Sequence, residues 1–163
     1  MILPGFYGKL PTAGDFVTRR LPPDFVRFWD RWCARHLAPV SPARWPAGGL
    51  RFHLPGQATG LALPSRDRSG RAFPLTLAAP APRQPEEWYD DLALLAAEAA
   101  DGRIGTDALD NRLLLQPAQA VAGADPPRPL LWRAGGPALE VDLAHPAGLA
   151  ELLPQAEGAA SAP

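Results

Sequence analysis

The stretch Leu50-Arg51-Phe52-His53-Leu54-Pro55-Gly56, continued by Gly60-Leu61-Ala62-Leu63 and by Ala72-Phe73-Pro74-Leu75-Thr76-Leu77-Ala78-Ala79, decides the fold. Apolar and polar residues alternate in Leu50–Leu54, which predicts a half-buried strand. Pro55-Gly56 turns the chain, Gly60–Leu63 predicts a second strand and Ala72–Ala79 a third. Pro74 has no N–H to give to a ladder, so the third strand is expected at a sheet edge or bulged there. No helical pattern separates these strands, so they are expected to pair antiparallel. The charged loop Ser65-Arg66-Asp67-Arg68-Ser69-Gly70-Arg71 lies between the second and third.

Upstream, Gly5–Leu10 reads as a strand built on Phe6 and Tyr7, bounded by Pro4 and Pro11. Thr12–Asp15 is a turn, and Phe16-Val17-Thr18 is briefly extended. Pro22-Pro23-Asp24 opens a helix, because proline suits the first helical turn and an anion suits the positive end of the dipole. Phe25, Trp29, Trp32, Cys33 and then His36 or Leu37 form its apolar stripe, with Arg27, Asp30, Arg31 and Arg35 largely opposite. Downstream, Glu86–Ala100 is a second helix and Thr106–Gln116 a third. Leu130–Ala134 and Ala138–Leu143 flank Gly135-Gly136, a two-residue hairpin signal, and Ala147–Leu153 reads as a short last helix. Clustered strands with helices between them predict an α+β fold. The expectation is a mainly antiparallel sheet of about five to six strands, flanked by helices as a layered α/β sandwich. One domain is expected over residues 1–153, with a disordered tail at 154–163.

Composition supports a folded chain: 163 residues, 47% hydrophobic, with five Trp and six Phe. Cys33 is the single cysteine, so no intramolecular disulfide or zinc ribbon can form, and a reducing compartment is the natural reading. The start Met1-Ile2-Leu3-Pro4-Gly5 has no basic n-region, and no apolar run approaches the roughly 20 residues that span a bilayer. A cytoplasmic, soluble protein without membrane insertion is expected. The net charge of −1 conceals an asymmetry. Residues 1–71 hold eleven basic and four acidic residues, and residues 72–163 hold five basic and thirteen acidic. Either the halves complement each other within one fold, or an arginine-rich surface meets an acidic or phosphorylated partner.

No catalytic set emerges. His36 follows Cys33 by three residues on a helical face, but the surrounding Phe and Trp mark a core position. His53, on the polar side of its strand, reads as a solvated histidine. With Ser65 and Asp67 it could be drawn as a hydrolase triad, yet no nucleophile elbow or glycine-lined oxyanion site accompanies it. Metal-ligand spacings, carboxylate-dense loops and phosphate-binding glycine loops are all missing, so no cofactor or metal is expected. The arginines are dispersed and the isoelectric point is about 6.3, which argues against nucleic acid.

Two segments resist a core explanation: Gly5–Arg20 and Pro64–Leu77 combine glycine, proline, aromatics and isolated charges. Asp15 and Asp67 stand beside several arginines. They either hold loops by bidentate pairs, such as Asp15 with Arg71 or Asp67 with Arg19, or they contact a partner. The candidate partner-binding residues are Asp15, Arg19, Asp67, Arg68 and Arg71, with Lys9 and Arg20 behind them.

These segments resemble the signature of the TagF, or ImpM-like, family associated with bacterial type VI secretion. Its G-aromatic-YGKLP pattern corresponds to Gly5–Pro11, GDFV to Gly14–Val17, R-x-LP to Arg20-Leu21-Pro22, and FV-x-x-WD-x-W to Phe25–Trp32. The second pattern, PS-x-D-x-x-GR-x-FPLT, corresponds to Pro64–Thr76. The resemblance covers residues 5–79; beyond Gly102 little matches, and the family's tryptophan-rich strand is reduced to Trp132. No trace is visible of the phosphatase domain that some relatives carry. The resemblance implies a non-enzymatic, post-translational repressor of type VI secretion that binds the system's forkhead-associated scaffold protein. The alternatives are a structural adaptor of the secretion baseplate, or a weak hydrolase using Ser65 or Cys33.

Overall fold

The three strands around Leu50–Ala79 do pair antiparallel, and they form the middle of a larger sheet. A computed structural model describes residues 1–120 and 125–153. In chain order the elements are β1 (Gly5–Gly8), β2 (Val17–Arg19), α1 (Pro23–His36), β3 (Leu50–Leu54), β4 (Ala58–Leu63) and β5 (Leu75–Ala79). There follow α2 (Glu86–Ala100), α3 (Thr106–Leu113), β6 (Leu130–Trp132), β7 (Leu139–Glu140) and α4 (Leu149–Leu152). A short 3-10 turn, Pro42–Arg44, follows α1. Among the described residues the strands make one antiparallel sheet in the order β2-β1-β5-β4-β3-β6-β7.

This is the α+β architecture expected, but the sheet has seven strands instead of five to six. The added strand is β2 at one edge, three residues where only a brief extended stretch at Phe16-Val17-Thr18 was expected, while β7 at the other edge keeps two residues of the arm expected over Ala138–Leu143. The hairpin of β6 and β7 also differs from the two-residue loop expected. Leu131 pairs with Leu139, so the connection runs over 133–138, with a turn closed by the Gly136 N–H on the Arg133 carbonyl at 3.0 Å. Pro74 does not mark an edge, because β5 starts at Leu75 and lies between β1 and β4. The proline sits just before the first ladder position, where its missing N–H costs nothing. The expected tail at 154–163 lies outside the described residues.

Helices cover both faces of the sheet. On one face α1 packs Phe25, Trp29, Trp32 and Cys33 against Leu50, Phe52 and Ala62, with Leu149 and Leu152 of α4 in the same cluster. The rings interlock: Trp29 lies 4.3 Å from Phe52 and 5.0 Å from Trp32 between centroids. Its indole N–H donates to the Thr76 hydroxyl at 2.7 Å, so the one polar atom of this ring is satisfied in the core. Emptying such a site typically costs about 3–5 kcal/mol. On the other face α2 and α3 bring Trp88, Tyr89, Leu92, Leu95, Leu109 and Leu113 onto Phe6, Leu61, Leu77 and Trp132.

Two-sided coverage also corrects the reading of β3. All five of its residues are buried, so its alternation distinguishes two faces and does not separate a buried face from a wet one. The polar members face α2. Arg51 is neutralised there by Glu86 and by Asp90 at 2.7 Å, with the Tyr89 ring 5.8 Å from its guanidinium. His53, read as solvated, is fully buried.

Candidate protein-interaction surface

The two marked segments lie against each other at the β1–β2 end of the sheet, and close approaches of the backbone account for Gly5, against the first segment's own strand β2, and Gly8, against the second segment. A Cβ on Gly5 would stand 1.9 Å from the Arg19 carbonyl oxygen, and one on Gly8, with φ +139°, would stand 2.2 Å from that of Pro74. Only glycine permits both approaches.

Asp67 ties the loops together. Its side chain is fully buried, and Oδ1 accepts the backbone N–H groups of Ser69 at 2.9 Å and Arg71 at 3.0 Å. Oδ2 accepts from Arg71 Nε at 2.8 Å and lies 3.2 Å from Lys9 Nζ, which is itself largely buried. Burial alone raises the carboxyl pKa, but the Arg71 backbone N–H, the Lys9 ammonium and the Arg71 guanidinium outweigh it and hold the group at about 2. Around this knot, the Arg68 backbone N–H donates to the Ala13 carbonyl at 2.8 Å and its guanidinium to that of Thr12 at 2.7 Å. Arg71 reaches the Gly14 carbonyl at 3.2 Å, and the Ser65 hydroxyl donates to the Lys9 carbonyl at 2.7 Å.

The candidate residues therefore separate. Lys9 and Asp67 belong to the scaffold. Arg68 and Arg71 fasten one loop to the other while staying exposed. Asp15 is exposed, with Oδ1 accepting the Phe16 N–H at 2.7 Å. Arg19 lies 3.7 Å from Asp107, and Arg20 pairs with Asp110, so both lean towards α3. Arg20 also holds a left-handed backbone, φ 55°, and donates to the Pro4 carbonyl at 3.1 Å. Neither expected pairing, Asp15 with Arg71 or Asp67 with Arg19, is present; Lys9 takes the second place on Asp67. A lysine in the run Gly5-Phe6-Tyr7-Gly8-Lys9 gave no signal that its side chain would turn inward.

Sequence reading also passed over Phe16. It stacks on Tyr7 at 5.7 Å, meets Phe73 edge-on at 4.9 Å and has Lys9 Nζ 5.0 Å from its ring, yet remains 42% exposed. Tyr7 beneath it donates to Asp30 of α1. An aromatic ring held rigidly by two others, with one side open, presents a preorganised apolar contact.

The residues considered for hydrolysis are used otherwise. Ser65 serves the Lys9 carbonyl and Asp67 serves Lys9 and Arg71. His53 Nε2 lies 2.9 Å from Asp125, but neither ring nitrogen makes a well-aligned hydrogen bond with any described residue. Burial pushes the His53 pKa down, while Asp125 pulls it partly back. Cys33 is fully buried, and that burial pushes its thiol pKa well up, which holds it protonated. Among the described residues no cluster of His, Cys, Asp and Glu could hold a metal ion, and no helix is long and apolar enough to cross a membrane.

An antiparallel sheet covered by helices on both faces, with paired glycine-rich loops stapled at one end, defines a scaffold that displays loops. Residues 5–116 match the TagF N-terminal domain, described as type VI secretion system-associated, and the chain belongs to this family. The match extends past residue 79 to take in α2 and α3. The crystal structure of PA0076 from Pseudomonas aeruginosa PAO1 is similar at a TM-score of 0.59 and 30% identity. The likeness covers 71% of this chain and 63% of that one, so the chain spans less than two thirds of that relative. No curated protein matches.

Proposed function

We propose that this chain is a non-enzymatic, cytoplasmic regulator of type VI secretion, acting as a post-translational repressor that binds the system's forkhead-associated scaffold protein. Membership of a secretion-associated family supplies the system. The observation that carries the binding role is the rim around Phe16, where a half-exposed ring is clamped by Tyr7 and Phe73 and bordered in the chain by Asp15. Arg68 and Arg71 complete the rim from the facing loop, both exposed and both held by backbone carbonyls. Rigid aromatic anchors surrounded by charge are the usual centres of protein interfaces. The non-enzymatic reading is supported by Cys33, held protonated in the core, and by Ser65, whose proton is committed to a carbonyl.

The test is retention of the forkhead-associated scaffold by the tagged protein, alongside effector export during overproduction. Phe16→Ala is expected to weaken retention at least tenfold and to restore export, with the fold intact. Retention unchanged in Phe16→Ala, or export unaffected by overproduction of the wild type, overturns this function.

A further inference from the structure

A second surface lies on the outer turn of α1. Of the three arginines on this helix, Arg27 is neutralised by Asp24. Arg31 and Arg35 are exposed and make no ion pair or hydrogen bond with any described residue. They stand four residues apart on one face, roughly 6 Å along the axis. Between them and the chain at Leu143-Ala144 is an open cleft of about 410 Å³, lined also by Phe28, Trp32 and His36. Its floor is built, because the Trp32 indole N–H donates to the Leu143 carbonyl at 2.9 Å, which fixes the ring and the facing segment together. The ring also packs on Trp29 at 5.0 Å and on His36 at 5.0 Å.

We propose that this cleft binds an acidic polypeptide segment carrying one apolar or aromatic side chain. The apolar side chain enters between Phe28, Trp32 and Leu143, and neighbouring carboxylates meet Arg31 and Arg35. The charge requirement follows from the arginines themselves. Two guanidinium groups left without counter-ions beside an apolar floor complement an anion joined to an apolar group, and the cleft volume suits side chains of that size. Two arginines are too few for a nucleic-acid footprint, which needs a basic stripe along the backbone. This surface is separate from the Phe16 rim, and its test needs no secretion component, so the two readings can fail independently.

Fluorescence polarisation on the full chain tests it, with a labelled decapeptide of Glu and Asp residues around one central Leu. Saturable micromolar binding is expected, weakening as salt rises. The double change Arg31→Glu and Arg35→Glu should weaken it at least tenfold, and replacing the peptide's Leu by Ser several-fold. Arg27→Gln, on the same helix but already paired with Asp24, should leave it nearly unchanged. The milder pair Arg31→Gln and Arg35→Gln, with near-ultraviolet circular dichroism of the tryptophans, guards against misfolding. Absence of saturable binding to the wild type overturns the proposal, as does equal binding by the double variant. So does self-association, or binding to phosphatidylserine vesicles, that depends on Arg31 and Arg35 but is not displaced by the peptide.

Discussion

The paired loops at 9–16 and 64–73 and the outer turn of α1 are both rich in charge, and they use it in opposite ways. In the loops, Asp67, Lys9 and Arg71 satisfy one another, and Arg68 and Arg71 each give one further donor to the carbonyls of Thr12 and Gly14 while keeping others exposed. On α1, Arg31 and Arg35 spend nothing on the described residues. The difference teaches that a motif's charges can be distinctive because they are internal. A group whose hydrogen bonds are all internal, as with Asp67, must give them up before it can bind anything, and that cost removes most of the gain.

Substitutions can break or sharpen this contrast. The largest effect is expected at the knot itself. Asp67→Ala leaves the Lys9 ammonium buried without a counter-ion and frees two backbone N–H groups. The thermal midpoint should fall by roughly 10 °C, against no more than about 2 °C for Arg31→Gln; equal falls in calorimetry would erase the distinction between the two regions.

Next is Thr76→Val, which keeps the shape of the α1 interface but strands the Trp29 indole N–H. A loss of about 1–3 kcal/mol in urea denaturation is expected. A neutral result would mean that this hydrogen bond contributes no more than the packing around it. Arg68→Ala, which removes the fastening to the Thr12 carbonyl, should cost about 1 kcal/mol and raise hydrogen-exchange rates chiefly in residues 12–16.

Acid titration separates two buried groups. The folded pKa of Asp67, about 2, lies below its ordinary value of 3.8. Its contribution is therefore complete above pH 4 and is lost as pH falls through about 2. His53 is also depressed, from 6.5, because burial favours the neutral ring over the pull of Asp125. The unfolded chain binds that proton first, so stability declines as pH drops below about 6.5. Urea midpoints measured across pH should show both windows. The lower one should flatten in Asp67→Asn and the upper one in His53→Gln; any other pairing assigns the groups wrongly.

Much of the architecture was legible in the chain because it rests on local rules. The proline pair at Pro22-Pro23, the acid at Asp24 and the spacing from Phe25 to Cys33 specify α1, and α2 runs over Glu86–Ala100 as its periodicity predicts. The glycines of the first motif were legible as shape-makers, although not the carbonyls they must clear. What escaped were the pairing of the stretch around Val17 as a seventh strand, the shortness of β7, and the burial of Arg51 and His53. Alternation cannot announce that a helix will cover the second face of a strand.

By itself the sequence determined the kind of fold, the place of its helices and the family to which the chain belongs, because periodicity, breakers and motif spacing are properties of neighbours along the chain. Only the tertiary structure decided which charges are available. Lys9 and Asp67 meet across more than fifty residues of chain, and Arg31 and Arg35 find no such partner on α1. Whether a charge is satisfied depends on what folding brings within 4 Å of it, and that distance is not written in any local pattern.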